Sequence, residues 1–127
     1  MDQSFKKIEK LKSQKLIEKL FSEGKSVAVY PLRLVYLKTS FDDPIQIKTG
    51  VSVSKRNFKT AVARNRIKRL MREAYRLNKS KYFNNIPDQY AFMILYIGKT
   101  GTDFQTISKK MNTLMDVFLK HQSLPKP

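Results

Sequence analysis

One segment, from Lys55 to Lys81, constrains the fold of this chain more than any other. Apolar residues recur in it at steps of four, three, four and three, the spacing that places side chains on one face of a helix from Thr60 to about Asn78. They are Ala63, Ile67, Leu70, Ala74 and Leu77. At 100° per residue, five polar residues fall within an arc of roughly 100° on the opposite face. They are Asn65, Lys68, Arg69, Arg72 and Arg76. We therefore expect one face to dock on a sheet and the other to stay exposed.

The charge of this segment has a single sign. It contains eleven Lys and Arg residues and one acid, Glu73, in a chain whose net charge is +16. A solvated helix face is the ordinary interpretation of such residues, but solvated faces normally mix signs so that i,i+4 pairs form. A segment that carries almost only positive charge favours a polyanion as its partner. Arginine strengthens this interpretation, because its guanidinium group binds a phosphate through two hydrogen bonds. Asn65 would either bond to a base edge or a ribose 2′-OH, or tie down the first turns of the helix; the sequence leaves both open.

The remaining elements complete an α+β pattern. A first amphipathic helix is predicted with Ser13 as its N-cap and Gly24 at its end, and a last helix is predicted to start at Thr102 or Asp103. Strands are predicted over 26–30, 32–37, 45–53 and 90–97. The order αβββαβα predicts a two-layer sandwich with one four-stranded sheet. We expect residues 1–127 to form a single domain, with 1–12 and 122–127 loosely held.

The composition excludes several kinds of chemistry. The chain has no Cys and one His, His121, so disulfides, zinc fingers, thiol nucleophiles and His-based catalytic groups are not expected. No catalytic constellation and no metal site are predicted. The N-terminus lacks the apolar core of a signal peptide, and the longest apolar run is far shorter than the ~20 residues that span a bilayer. A soluble, cytoplasmic protein is expected, without a membrane or a required protein partner.

Two runs of residues resemble a known family. Val51-Ser52-Val53-Ser54-Lys55 is followed by Ala61-Val62-Ala63-Arg64-Asn65-Arg66-Ile67-Lys68-Arg69-Leu70-Met71-Arg72-Glu73-Ala74-Tyr75-Arg76. A strand ending in Val-Ser-Lys, then Arg-Asn-Arg, Lys-Arg and Arg-Glu on a helix, resembles the protein component of bacterial ribonuclease P. Weaker agreement extends over most of the chain. The resemblance also implies a left-handed β-α-β crossover through the basic helix, which pattern reasoning does not predict.

The resemblance implies a function and a set of RNA contacts. An RNA subunit with bound Mg²⁺ would cut the 5′ leader from precursor tRNA, and this chain would be the accessory protein subunit of that endoribonuclease. The basic helix and the loop before it would bind the RNA subunit. The residues assigned to this contact are Lys55, Arg56, Lys59, Arg64, Asn65, Arg66, Lys68, Arg69, Arg72 and Arg76.

A separate cleft is implied for the leader of the precursor. It would be built from the first helix and the sheet, with aromatic side chains stacking on unpaired bases. Phe21 and Tyr36 match two cleft aromatics of the family, and Ile17 occupies a position where the family commonly has Phe. An aliphatic side chain packs against a base but does not stack on it. The family's usual Arg-Leu opening is also replaced, here by Lys10-Leu11-Lys12.

Two other functions are kept as alternatives. One is a generic RNA-binding module of ribosomal or RNA-chaperone type with no role in tRNA processing. The other is a nuclease that works without an RNA subunit. Cleavage by the protein alone would favour the latter, and no gain from adding the protein to the RNA subunit would favour the former.

Overall fold

The computed structural model describes residues 5–83 and 86–122, and within them the helices and strands follow the predicted order. They are α1 (Gln14–Glu23), β1 (Lys25–Val29), β2 (Leu32–Thr39), β3 (Ile47–Val53), α2 (Ala61–Phe83), β4 (Gln89–Tyr96) and α3 (Phe104–His121), preceded by a short 3-10 turn at Lys7–Glu9. The predicted α+β class is confirmed. No helix within the described ranges is long and apolar enough to cross a lipid bilayer.

The four strands form one mixed sheet in the order β1-β2-β4-β3. β1 pairs with β2 and β2 with β4 in antiparallel fashion, whereas β3 and β4 run parallel. Parallel neighbours need a crossover connection, and α2 provides it. Because β3 ends and β4 begins at opposite ends of the sheet, α2 runs along the full length of the sheet's face.

Helices cover both faces of the sheet. Alternate strand residues point to opposite faces, so one set packs with α2 and α3 and the other with α1. The larger core surrounds Phe118 of α3, which is fully buried and meets the rings of Tyr36, Tyr90 and Phe92 at centroid distances of 5.0, 5.2 and 4.9 Å. The smaller core, under α1, contains Leu11, Leu20, Val35, Ala91 and Met93.

The predicted ends of α1 and the predicted start of α3 are confirmed by their local contacts. The Ser13 hydroxyl accepts a hydrogen bond from the Leu16 N–H at 3.3 Å, and α1 stops at Gly24. A Cβ at Gly24 would lie 2.3 Å from the Leu20 carbonyl oxygen, so only glycine fits this close approach. Asp103, rather than Thr102, caps α3 by accepting the Thr106 N–H at 2.9 Å.

The basic helix α2 is longer than predicted and buries a broader face. It ends at Phe83 rather than near Asn78. Ile67 and Ala74 are buried as expected, while Ala63, Leu70 and Leu77 are only half-buried. The prediction omitted Met71 and Tyr75, both of which are buried. Tyr75 packs against Phe5 and accepts a hydrogen bond from Thr49 of β3 at 2.9 Å, while α2 also packs against α3. Two neighbours on different sides require a wider apolar stripe than one.

Residues 5–11 are attached to the domain, although their composition predicts a loose segment. The Leu11 N–H donates to the Thr49 carbonyl at 3.0 Å, beside the edge strand β3. The Glu9 carboxylate forms an ion pair with Lys79 of α2, and the Phe5 ring packs edge-on against Tyr75 at 5.5 Å. This N-terminal strap therefore joins β3 to the second half of α2. Of the other predicted loose segment, 122–127, residues 123–127 lie outside the described residues.

Candidate nucleic-acid interface

The loop between β3 and α2 is held in a fixed shape. The Phe58 N–H donates to the Ser54 carbonyl at 3.1 Å, and the Phe58 ring lies 5.8 Å from the ring of Tyr96. Arg64 closes the loop from the helix side, since its Nη1 donates to the Phe58 carbonyl at 2.7 Å. Lys55, Arg56 and Lys59 consequently project from an anchored loop at the start of α2.

Three of the predicted RNA-binding arginines already have partners within the protein. Arg64 bonds to the loop as described. Arg66 donates to the Thr102 carbonyl at 3.3 Å, and it also helps lower the pKa of Asp103, an effect due mainly to the Thr106 N–H. Arg76 donates from Nε to Glu73 at 3.0 Å and holds the pKa of that carboxyl below its usual range. These guanidinium groups shape the surface as well as charging it.

The other predicted cations have no partner among the described residues. Their side chains make no hydrogen bond or ion pair with any residue in 5–83 or 86–122. We call them the free cations: Lys55, Arg56, Lys59, Lys68, Arg69 and Arg72. Lys68 is half-buried and the rest are exposed. Like charges concentrated without counter-charges repel one another, so this surface is suited to a polyanion that neutralises them.

Asn65 lies beside the free cations on α2. It is exposed, and its amide makes no hydrogen bond to any described residue. Of the two roles left open by the sequence, tying down the helix is therefore not observed. Asn65 also lines an open groove of about 520 Å³ with Arg69, Arg72 and Arg76, and the strap residue Lys10 stands on its other side.

A second groove lies on the other side of the strap, next to α1. Its volume is about 280 Å³, and we call it the α1 groove. Ile17 and Met93 give it apolar walls, and Gly50 of β3 forms part of its floor, where a Cβ would lie 3.0 Å from Met93 Cε. Lys10, Lys12 and Arg72 also line it. Apolar walls beside cations are what an unpaired nucleotide needs, because its base is flat and apolar and its phosphate is anionic.

The three predicted cleft residues do not all lie on the same face of the sheet. Ile17 lines the α1 groove, and Phe21, half exposed at 51%, lies one turn further along the same side of α1. Tyr36 does not lie with them: it is 5% exposed and packs on Phe118, on the opposite face of the sheet. Strand alternation is the reason, since it turns Val35 towards α1 and Tyr36 towards α3. The placement of Tyr36 beside Phe21 is wrong.

Sequence reasoning missed several groove residues. Phe5 and Lys10 come from the strap, Lys12 comes from the position just after it, and Gly50 and Met93 come from strands β3 and β4. The Lys10-Leu11-Lys12 triplet carried a signal, because a buried Leu between two exposed lysines fits a segment that crosses a surface with its charges outward. Gly50 and Met93 gave none, since which strand residues face a groove depends on the sheet order.

The described residues offer no cluster of acids or histidines for a metal ion. No group of three or more His, Cys, Asp or Glu side chains is close enough together within 5–83 and 86–122. The site is therefore made of cations, one exposed amide and apolar walls.

Comparison with known proteins points to one family. The ribonuclease P family model matches residues 5–118. A ribonuclease P protein component of Porphyromonas gingivalis ATCC 33277 is 40% identical over 110 residues, covering 83% of this chain and 79% of the relative. One from Chlorobium phaeobacteroides is 37% identical over 125 residues, covering 88% and 86%.

Solved structures agree in fold. The RNase P protein of Thermotoga maritima superposes with a TM-score of 0.67 at 26% identity, covering 85% of this chain and 96% of that one. The RNase P protein of Staphylococcus aureus gives a TM-score of 0.70 at 20% identity, covering 87% and 94%. The second likeness concerns the fold alone.

Proposed function

The chain belongs to the ribonuclease P protein family, and from that premise we propose how its two surfaces divide the work of an accessory subunit. The basic surface, which we define as the six free cations and Asn65, binds the RNA subunit of the enzyme, and the α1 groove receives the 5′ leader of precursor tRNA. The surfaces face different RNAs and meet at the strap, where Lys10 and Arg72 line both grooves.

The six free cations carry the first part of this proposal. A cation that is paired within the protein must give up that partner to bind phosphate, whereas a free one gains a partner and releases counterions from the RNA. Asn65 stands among them with its amide unbonded, which gives the surface a group able to read a base edge or a 2′-OH. Arg64, Arg66 and Arg76 hold the surface in shape.

The α1 groove supports the second part. Its volume of about 280 Å³ suits a single strand rather than a duplex, and its cations lie beside the apolar walls where a phosphate backbone would run. Phe21 is the exposed aromatic next to it and is the residue on which we place base stacking. Ile17 contributes packing without stacking. Tyr36 has no part in this contact.

The protein's contribution is binding rather than bond cleavage. From the membership of the ribonuclease P family we propose that the RNA subunit holds Mg²⁺, which supplies the hydrolytic chemistry of the holoenzyme. The chain's own residues lower repulsion between RNA phosphates and favour the precursor, which has a leader, over mature tRNA, which has none. The compartment we propose is the cytoplasm.

A cleavage assay tests the proposal. Precursor tRNA is incubated at low Mg²⁺ with the protein alone, the RNA subunit alone, and both together. We expect 5′ cleavage to be slow with RNA alone, fast with both, and absent with protein alone. Cleavage by the protein alone would show a self-sufficient nuclease. No gain over the RNA subunit alone would leave a generic RNA-binding module as the better account.

The leader contact has its own test. Phe21→Ala should reduce the holoenzyme's preference for precursor over mature tRNA by about 5- to 150-fold, the range for losing one stacked base. The melting temperature of the protein should stay unchanged, because the Phe21 side chain is half exposed. Lys120→Ala, at the far end of α3, is the matched control for an exposed change elsewhere. A lower melting temperature with an unchanged preference would assign Phe21 to packing instead.

A further inference from the structure

One end of the sheet brings three connections side by side. In the order β1-β2-β4-β3, the β1–β2 turn at Tyr30 and Pro31, the loop after β4 and the loop after β3 all leave the sheet at this end. Neighbouring strands lie about 4.8 Å apart, so the turn and the end of β3 are separated by roughly 10–15 Å. The Ile97 N–H donates to the Pro31 carbonyl at 2.8 Å and fastens the turn to the end of β4.

This end carries the most exposed large apolar side chains of the described residues. Val62, in the first turn of α2, is 81% exposed, and Tyr30 is 64% exposed. Single exposed apolar residues are ordinary on a protein surface. Here, however, the turn that carries Tyr30 leads directly into Leu32, which pairs with Tyr96 of β4, and the ring of Tyr96 lies 5.8 Å from that of Phe58. The Tyr30 phenol also contributes to a raised pKa of Tyr96, an effect due mainly to burial.

Four exposed cations lie on the two loops that share this end of the sheet with Tyr30. Lys55, Arg56 and Lys59 project from the loop after β3, and Lys99 is exposed on the loop after β4. Arg66 binds this second loop to α2 through the Thr102 carbonyl, so the loop and the basic helix form one continuous surface. An exposed ring at the same end of the sheet as exposed cations matches single-stranded nucleic acid, because its bases stack on aromatic faces while its phosphates bind the charges.

We propose that Tyr30 is a stacking platform for an unpaired base of the RNA subunit, and that Lys99 contributes a phosphate contact beside it. The proposal deepens the proposed function and rests on it. It extends the RNA-subunit contact beyond α2 and its preceding loop, across the end of the sheet to the β1–β2 turn. The leader is not the occupant, because the α1 groove opens beside the strap and the middle of β3, away from this turn.

Binding of the RNA subunit, without precursor tRNA, tests the platform. Tyr30→Leu and Tyr30→Ala should each weaken the affinity about 5- to 150-fold, the cost of losing one stacked base. Tyr30→Phe keeps the ring and should bind within about twofold of the wild type. The salt dependence should not change in any of the three, because no charge is lost. Tyr30→Leu keeps an apolar side chain of similar bulk at the turn, so it is the variant on which the test depends if Tyr30→Ala proves unstable.

Lys99 is tested in the same assay. Lys99→Ala should weaken binding and reduce the slope of log K against log salt by about 0.7–0.9, the value for one phosphate contact. Lys120→Ala removes the same charge elsewhere and should change neither. Wild-type affinity in Tyr30→Leu, with weakened affinity in Arg69→Ala, would overturn the platform and leave the basic surface intact. Wild-type affinity in both would overturn the proposed function itself.

Discussion

Arg69 offers the sharpest test of the basic surface, because its guanidinium is exposed on α2 and has no partner among the described residues. Arg69→Ala therefore removes no bond to a described residue, and alanine has the highest helix propensity, so the variant should fold and melt like the wild type. What it loses is a charge-assisted contact with a phosphate, worth about 1.5–3 kcal/mol. That corresponds to an affinity for the RNA subunit roughly 10- to 150-fold lower.

The salt dependence separates this explanation from a general loss of fit. One phosphate contact contributes about 0.7–0.9 to the slope of log K against log salt. Between 50 and 200 mM salt, the variant should therefore lose about threefold less affinity than the wild type does. The assay is a titration of the RNA subunit at several salt concentrations, with Lys120→Ala as the control for a charge removed from another surface. An unchanged slope would mean that Arg69 faces solvent in the complex and would refute the argument.

Three further predictions concern the groove, the strap and the core. Gly50→Leu should fill the α1 groove and abolish the preference for precursor over mature tRNA, as measured by competition binding. The affinity for the RNA subunit should stay intact. A retained preference would place the leader elsewhere. Lys79→Met should lower the unfolding free energy measured in urea by up to about 3 kcal/mol, because the Glu9 carboxylate loses its counter-charge in a largely buried site, where it keeps the Lys6 N–H as a donor. Adding Glu9→Gln should restore most of that loss. No loss in the single variant would show that the pair does not hold the strap. Burial raises the pKa of Tyr75 above its unfolded value near 10, so the neutral phenol stabilises the fold fully below about pH 10 and that contribution is lost as the pH rises further. Between pH 9 and pH 11, the unfolding free energy measured by denaturation should fall less in Tyr75→Phe than in the wild type. Equal falls in the two proteins would contradict the linkage between this pKa and stability.

The sequence predicts the local features of this fold well, because they depend on neighbours along the chain. A Ser before an apolar pattern and a Gly after it define α1, and an Asp at the start of the last apolar stripe caps α3. The basic face of α2 also follows from spacing alone. These features are encoded within one or two helical turns, where side-chain periodicity and capping act directly.

Features set by distant parts of the chain are those that pattern reasoning misses. Tyr36 lies in the run Leu34-Val35-Tyr36-Leu37, which is apolar throughout because both faces of β2 are covered. Such a run does not show which face a residue takes. The last turns of α2 are covered by the strap and by α3, so their buried residues include Lys79, which a helical wheel places on the basic face. The α1 groove likewise depends on the sheet order, which brings Gly50 beside Met93.

The central claim is that the two surfaces of this protein contact different RNAs, and crosslinking within one assembled enzyme tests it most directly. A photoreactive group is placed at position 69 on the basic surface or at position 21 on α1, and the holoenzyme is irradiated with precursor tRNA bound. We predict crosslinks from position 69 to the RNA subunit and from position 21 to the 5′ leader. Crosslinks from both positions to the same RNA, or from position 21 to neither, would contradict the account.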